Sequence, residues 1–287
     1  MSKKAKNQAQ SLKIPRIIIL TAKLIAFIST KWIVRFAARL FTSPIKHKIP
    51  KREFEMDRHS VQEKLHVPEI GKDIVVYRLG DGPKKILLVH GWSGRGTQLV
   101  KFADALVETG FSVVSFDAPA HGKSPGKTTL MPEFIASILE IEKQYGPFEA
   151  AIGHSLGGMS LLNAMRLGLK AKHLVIIGSG DIIKDIFDDF VFKMELQPEI
   201  SDLMRDYFEH KYNKTMAEFS ASLSAQVIDI PVLVIHDHDD AEVPVYCAIN
   251  IHKNLKNGQL MLTKKLGHRK ILGDPEVIRQ SLEFINA

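Results

Sequence analysis

Ser155 sits at the centre of a Gly-x-Ser-x-Gly pentad, Gly153-His154-Ser155-Leu156-Gly157, which makes it a candidate nucleophile. The pattern is short, so its weight comes from its setting. Ala150 to Gly153 read as a buried strand, and Met159, Leu161, Leu162, Ala164 and Met165 as the apolar positions of a following helix. Ser155 then falls on a sharp strand-to-helix bend, where Gly153 and Gly157 remove side chains that would clash. The bend lifts the hydroxyl clear of the sheet and leaves the Leu156 N–H and the positive end of the helix beneath a developing oxyanion. A second donor is expected from Trp92, because the strand Lys85 to His90 runs into the glycine-rich loop His90-Gly91-Trp92-Ser93-Gly94-Arg95-Gly96.

A serine nucleophile needs a base, and position must choose among twelve histidines. His268, in Gly267-His268-Arg269 after a late strand, combines chain order with a post-strand loop. His154 neighbours the nucleophile but points away on the bend, and His90 and His121 read as braces of their loops. The orienting acid is sought in Val232-Leu-Val-Ile-His-Asp-His-Asp-Asp-Ala-Glu-Val-Pro244, where Asp240 is the choice and Asp181, after an earlier strand, the rival. His236, Asp237, His238 and Asp239 could instead form a metal cluster, but no third ligand is evident elsewhere, so neither a metal nor a cofactor is expected. Cys247, the single cysteine, reads as a packed apolar residue, and no disulfide can form within the chain.

The elements that must position these residues follow from periodicity. Val61 to Val67 and Asp73 to Arg78 read as an antiparallel pair. After them strands at Lys85, Ser112, Ala150, Leu174, Val232 and Gln259 alternate with helices, which argues for a mostly parallel sheet covered on both faces. The insertion at about residues 181–230 is rich in Phe, Met and Ile at helical spacing and reads as a helical cap packed on the core, with a few residues left to line a pocket. The boundary expected from composition separates a basic segment, 1–55, from the domain, 56–287, with 42–60 as a linker.

Across its 287 residues the chain is 45% apolar and 25% charged, ordinary values for a globular protein, and its net charge is +7. That charge is unevenly placed. Residues 1–52 hold nine lysines, four arginines and no acid, or +13, which leaves 26 basic against 32 acidic residues, or −6, for the remainder. Residues 1–13 read as polar and disordered. Residues 14–41 read as one amphipathic helix after Pro15, with Lys23, Lys31, Arg35 and Arg39 on one half. Lys23 and Lys31 interrupt the apolar run too often to favour spanning, and no small-x-small cleavage site marks a signal peptide. A helix lying in an anionic membrane interface fits best, against the plainer alternative of a helix packed on the protein's own surface; an organelle presequence has a similar composition. Interleaved Ile and Phe suit lipid better than nucleic acid, so no nucleic-acid partner is expected. The expected location is cytoplasmic, peripheral on a membrane.

From about residue 61 onward the sequence resembles an α/β-hydrolase. The resemblance rests on His90-Gly91-Trp92, on Phe116-Asp117-Ala118-Pro119-Ala120-His121-Gly122-Lys123-Ser124 matching an Asp-x-Pro-Gly-His-Gly-x-Ser turn, and on the Ser155 bend, the Asp240 loop and His268. Ala120 and Asp237 stand where that pattern has glycine, which leaves the conformations of those two loops open. The resemblance implies an α/β-hydrolase fold and a serine hydrolase in which His268 activates Ser155, Asp240 orients His268, and the Trp92 and Leu156 amides hold the oxyanion. Small carboxylic esters, lipophilic or of medium chain, are the expected substrates, with acyl transfer or thioester hydrolysis on the same triad as an alternative. A non-catalytic, membrane-associated scaffold with the same fold is the alternative from outside enzymology.

Overall fold

A computed structural model describes residues 14–287; the expected disorder of residues 1–13 lies outside the described residues. Eight strands form one sheet: β1 (Val61–Val67), β2 (Lys72–Leu79), β3 (Lys85–Val89), β4 (Ser112–Asp117), β5 (Phe148–His154), β6 (Ala171–Ile177), β7 (Val232–Asp237) and β8 (Gly258–Thr263), in the order β1-β2-β4-β3-β5-β6-β7-β8. β1 pairs antiparallel with β2 and β2 with β4, and every other pairing is parallel. The mostly parallel α/β sheet inferred from the alternating pattern is the one observed.

Side chains alternate across a strand, so each central strand feeds two cores. Leu87, Val89, Ile176 and Val234 point to one, and Ile86, Leu88, Ile177 and Ile235 to the other. This is why β3, β6 and β7 read as unbroken apolar runs rather than as alternating ones. The helices in chain order are α1 (Arg16–Ile28), α2 (Thr30–Phe41), α3 (Phe54–His59), α4 (Val100–Glu108), α5 (Met131–Tyr145), α6 (Leu156–Arg166), α7 (Ile183–Lys193), α8 (Glu199–Tyr212), α9 (Ala221–Ala225), α10 (Tyr246–Asn254), α11 (Gly267–Lys270) and α12 (Pro275–Asn286). α5, α6, α9 and α10 cover the first face through Phe134, Leu161, Ala221 and Ile251. α4 and α12 cover the second through Phe102, Leu106, Val277 and Phe284. Each fully buried side chain of this size is worth roughly 1.5–3 kcal/mol.

Helices α7, α8 and α9 lie between β6 and β7. A third core joins α7 and α8 to the start of the chain: Ile33, Ala37 and Ala38 of α2 bury against Phe187, Met204 and Phe208. The Phe41 ring meets the Phe187 ring edge-on, with centroids 4.8 Å apart. Two expectations are corrected here. The single helix over residues 14–41 is broken at Ser29, whose extended backbone (φ −162°) and hydroxyl, accepting from Trp32 N at 3.4 Å, start α2 afresh. Lys23 therefore does not share a helix with Lys31, Arg35 and Arg39, and the apolar face of α2 is packed on protein. Nor is 42–60 a loose linker. Glu53 is buried and accepts from Arg95 Nη1 at 3.0 Å and Thr97 Oγ1 at 2.7 Å.

Candidate active site

All the residues singled out for chemistry lie at the carboxyl ends of the parallel strands, the edge where open α/β sheets place their sites. Ser155 follows β5 directly and has φ 53° and ψ −120°, a strained conformation for a residue with a side chain. The glycines around it permit that bend. A Cβ on Gly153 would lie 2.7 Å from the Gly157 carbonyl, and one on Gly157 would lie 2.4 Å from the Val89 carbonyl. The second closeness also brings the end of β3, and so the Trp92 loop, against the bend: a Cβ on Gly91 would be 3.0 Å from Ser155 Cβ. Neither the Trp92 nor the Leu156 backbone N–H donates to an acceptor among the described residues; Leu156 follows Ser155 directly, and Trp92 follows Gly91.

Asp240, in the loop after β7, has each oxygen committed. Oδ1 accepts from the Glu242 and Val243 backbone N–H groups at 2.8 and 2.9 Å, and Oδ2 accepts from His268 Nδ1 at 2.7 Å. Burial opposes its ionisation, but the His268 hydrogen bond and charge, with the two amides, outweigh burial and hold the carboxyl below its usual range. Because Nδ1 donates to a carboxylate, Nε2 of a neutral His268 is the basic nitrogen. His154 lies beneath, donating through Nε2 to the His268 carbonyl at 2.9 Å with ring centroids 4.5 Å apart. No hydrogen bond joins Ser155 to His268, and Nε2 lies 4.0 Å from Glu242 Oε2. Such nucleophile–base contacts commonly tighten only when substrate is bound.

The remaining candidates separate by their partners. Asp181 accepts from Ser222 N at 2.7 Å and from Asn250 Nδ2, which makes it a brace of α9 and α10 rather than the acid facing His268. His236 turns inward and donates from Nε2 to the Val243 carbonyl at 2.9 Å. His90 donates to the Gly91 carbonyl and accepts from Ala118 N, and His121 donates to the Pro119 carbonyl and accepts from Ser93 N. Burial keeps both neutral, lowering His90 to about 4 and His121 to about 2. Cys247 is buried, and burial pushes its thiol up to about 11, away from thiolate chemistry. Among the described residues no three His, Cys, Asp or Glu side chains are grouped to hold a metal ion.

Several supporting residues have roles that the sequence does not show: Gln98 lies outside every motif, and the others stand in motifs that do not reveal their partners. Gln98 accepts the Gly91 N–H through Oε1 at 2.9 Å. Asp117 accepts from Gly96 N, Lys123 N and the Tyr77 hydroxyl, tying the Trp92 loop to the 118–124 turn. The turn follows with Ala120 at φ 65°, where the resembled pattern has glycine. Asp237, the other departure, ties the acid loop to the His268 loop by accepting from Thr263 Oγ1 at 2.7 Å and Leu266 N at 3.1 Å. Glu242 follows the acid by two residues and pairs with Arg269 at 3.1 Å. The segment leaving α2 also reaches the site, since Ile45 N donates to Ser93 Oγ at 3.0 Å and Arg95 Nη2 to the His47 carbonyl at 3.3 Å.

Comparison with known proteins gives three kinds of match. Residues 86–268 match the model of the Alpha/beta hydrolase family. A curated relative is the 2-hydroxy-6-oxononadienedioate/2-hydroxy-6-oxononatrienedioate hydrolase of Escherichia coli K12, 23% identical, with 71% of this chain and 88% of the relative covered. Among solved structures, an esterase from Exiguobacterium antarcticum superposes with a TM-score of 0.61 at 17% identity, covering 79% of this chain and 100% of that one. A bromoperoxidase from Bacillus anthracis superposes with the same TM-score of 0.61 and 17% identity, covering 79% and 99%. At such identities the structural matches speak to the fold.

Proposed function

The chain belongs to the Alpha/beta hydrolase family, and from that premise we propose that it hydrolyses carboxylic esters through Ser155, His268 and Asp240. The observation that carries the proposal is the 2.7 Å hydrogen bond from His268 Nδ1 to a fully engaged, buried Asp240, beside a strained Ser155, with the Trp92 and Leu156 amides unpaired among the described residues. Ser155 Oγ attacks the acyl carbonyl carbon while His268 Nε2 takes its proton, and Asp240 stabilises the imidazolium. The Trp92 and Leu156 N–H groups donate hydrogen bonds to the oxyanion that forms from the carbonyl oxygen; one such donor typically contributes roughly 3–4 kcal/mol to the barrier reduction. Collapse of the tetrahedral adduct breaks the ester C–O bond, and His268 returns the proton to the departing alcohol. Water, deprotonated by His268, then attacks the acyl-serine and regenerates Ser155.

One feature favours a neutral, lipophilic acyl group: Ile186 of α7 and Met159, one turn beyond Ser155, meet at Gly180, where a Cβ would lie 3.5 Å from Ile186 Cδ1 and 3.0 Å from Met159 Sδ, an apolar surface beside the site. Purified protein is tested with p-nitrophenyl esters of graded chain length. The proposal expects turnover that rises from acetate towards medium chains and is lost in Ser155→Ala; turnover unchanged in a folded Ser155→Ala protein refutes it.

A further inference from the structure

Helix α1 is apolar on both sides, which a helix packed on only one side does not require. Its inner side, Ile18, Ala22 and Ile25, joins the third core. Its outer side presents Ile17, Leu20, Leu24, Phe27 and Ile28, each between 60% and 91% exposed. At 100° per residue these five fall within an arc of roughly 100°. Phe192, 80% exposed, extends the apolar surface from the end of α7, where the next turn brings Glu195 into an ion pair with Lys23. Trp32 continues it onto α2 with the Arg35 guanidinium 5.8 Å from its ring. Contiguous exposed groups of this size mark an interaction surface rather than ordinary surface scatter.

The charges beside this face point to its occupant. Among the described residues Arg16, Lys31, Arg35 and Arg39 have no carboxylate within 4.0 Å. Arg35 and Arg39 also line a cleft of about 280 Å³ between α2, α8 and the start of α5. Lys211 enters that cleft from α8 and likewise has no carboxylate partner, its ammonium lying 5.2 Å from the Tyr212 ring. The carboxylate in the cleft, Glu133, is already held by Lys72, with both oxygens 2.7 Å from Nζ. Thr129, also lining the cleft, is buried with an unpartnered hydroxyl. Two guanidiniums and an ammonium lining one cleft have the charge and donors that suit a phosphate group.

We propose that the outer face of α1, with Trp32 and Phe192, docks on an anionic phospholipid bilayer, and that the Arg35–Arg39–Lys211 cleft takes a lipid phosphate. No described helix is long and apolar enough to cross a membrane, so docking is by insertion of one helix face to the acyl boundary. Because α2 packs on α7 and α8, docking brings the helices that follow β6 to the membrane face.

The test is co-sedimentation of the full chain with phosphatidylcholine vesicles and with vesicles containing phosphatidylglycerol. The wild-type protein is expected to bind both, and the anionic vesicles more tightly. Leu20→Ser/Leu24→Ser/Phe27→Ser is expected to weaken binding to both by at least ~tenfold, since the apolar contact is lost. Arg35→Gln/Arg39→Gln is expected to lower binding to the anionic vesicles by ~tenfold and to the neutral ones by less, because the phosphatidylcholine phosphate is offset by its own ammonium; anionic-vesicle binding equal to wild type overturns the cleft's role. The triple substitution sits on exposed positions, and an unchanged circular-dichroism melt verifies its fold. Wild-type protein that stays in the supernatant overturns the proposal, as does triple-variant binding equal to wild type. A wild-type dimer in sedimentation velocity that the triple variant renders monomeric, without vesicle binding, would assign the face to a second copy of the chain. The readout is binding alone, so it stands apart from whether the protein cleaves esters.

Discussion

Replacing Asp240 by asparagine changes one atom and, through the surrounding hydrogen bonds, the tautomer of His268. Oδ1 of Asp240 accepts two backbone N–H groups, from Glu242 and Val243. An asparagine must therefore keep its carbonyl oxygen there, because turning its amide nitrogen towards two N–H donors would lose both bonds. Its NH2 then faces His268 Nδ1, which must become an acceptor, and the ring proton moves to Nε2. A protonated Nε2 cannot take the proton of Ser155. Loss of the negative charge also removes the stabilisation of the imidazolium. In a triad this change costs about 10⁴ in kcat, or about 5.5 kcal/mol of barrier. Because the two amide contacts survive, KM and the melting temperature should stay near wild type. Steady-state hydrolysis of a p-nitrophenyl ester gives kcat and KM, and a thermal melt gives stability. A folded Asp240→Asn protein that retains activity within tenfold of wild type would refute Asp240 as the orienting acid.

Three further outcomes are expected. Gly157→Ala should lower stability by about 3 kcal/mol or more in urea unfolding, because the new Cβ would meet the Val89 carbonyl at 2.4 Å and backbone must move. Glu53→Ala should cost about 3–5 kcal/mol in the same assay, since it leaves the largely buried Arg95 guanidinium without its carboxylate. The third concerns pH. Burial lowers His90 from its ordinary 6.5 to about 4, so the unfolded chain takes up this proton first as pH falls. The stability contributed by neutral His90 is complete above pH 6.5 and is lost between there and about 4. At ~1.4 kcal/mol per pH unit this amounts to about 2 kcal/mol by pH 5 and about 3 kcal/mol by pH 4. Unfolding measured from pH 7 to pH 4 should show His90→Gln losing that much less stability than wild type; parallel curves would contradict the assignment.

The sheet was legible in the sequence because its central strands are buried on both faces, and such runs as Lys85 to His90 and Val232 to Ile235 have few other structural outcomes. The bend at Ser155 was legible for a different reason: two glycines four apart are needed to relieve backbone contacts within a single turn. The break at Ser29 was not, since apolar residues continue at helical spacing on both sides of it and only the serine signals the new start. Nor was the burial of Glu53, whose partners Arg95 and Thr97 lie more than forty residues away and leave no local pattern. Asp117 stood in a recognisable turn, but its grip on the Trp92 loop through Gly96 appears only when the two strand ends are side by side. Glu242 lay within the carboxylate-rich loop, yet its distance from His268 depends on how that loop turns back over the sheet. The outward apolar side of α1 was hidden because only the break at Ser29 separates its nearly continuous apolar surface, interrupted by Lys23, from the basic half of α2.

The most direct test of the account is covalent labelling of the native protein by a fluorophosphonate, followed by intact mass measurement and peptide mapping. The account predicts one adduct, on Ser155, that is absent in Ser155→Ala and strongly slowed in Asp240→Asn. A native protein that takes no label, or one whose label maps to another residue, would contradict it.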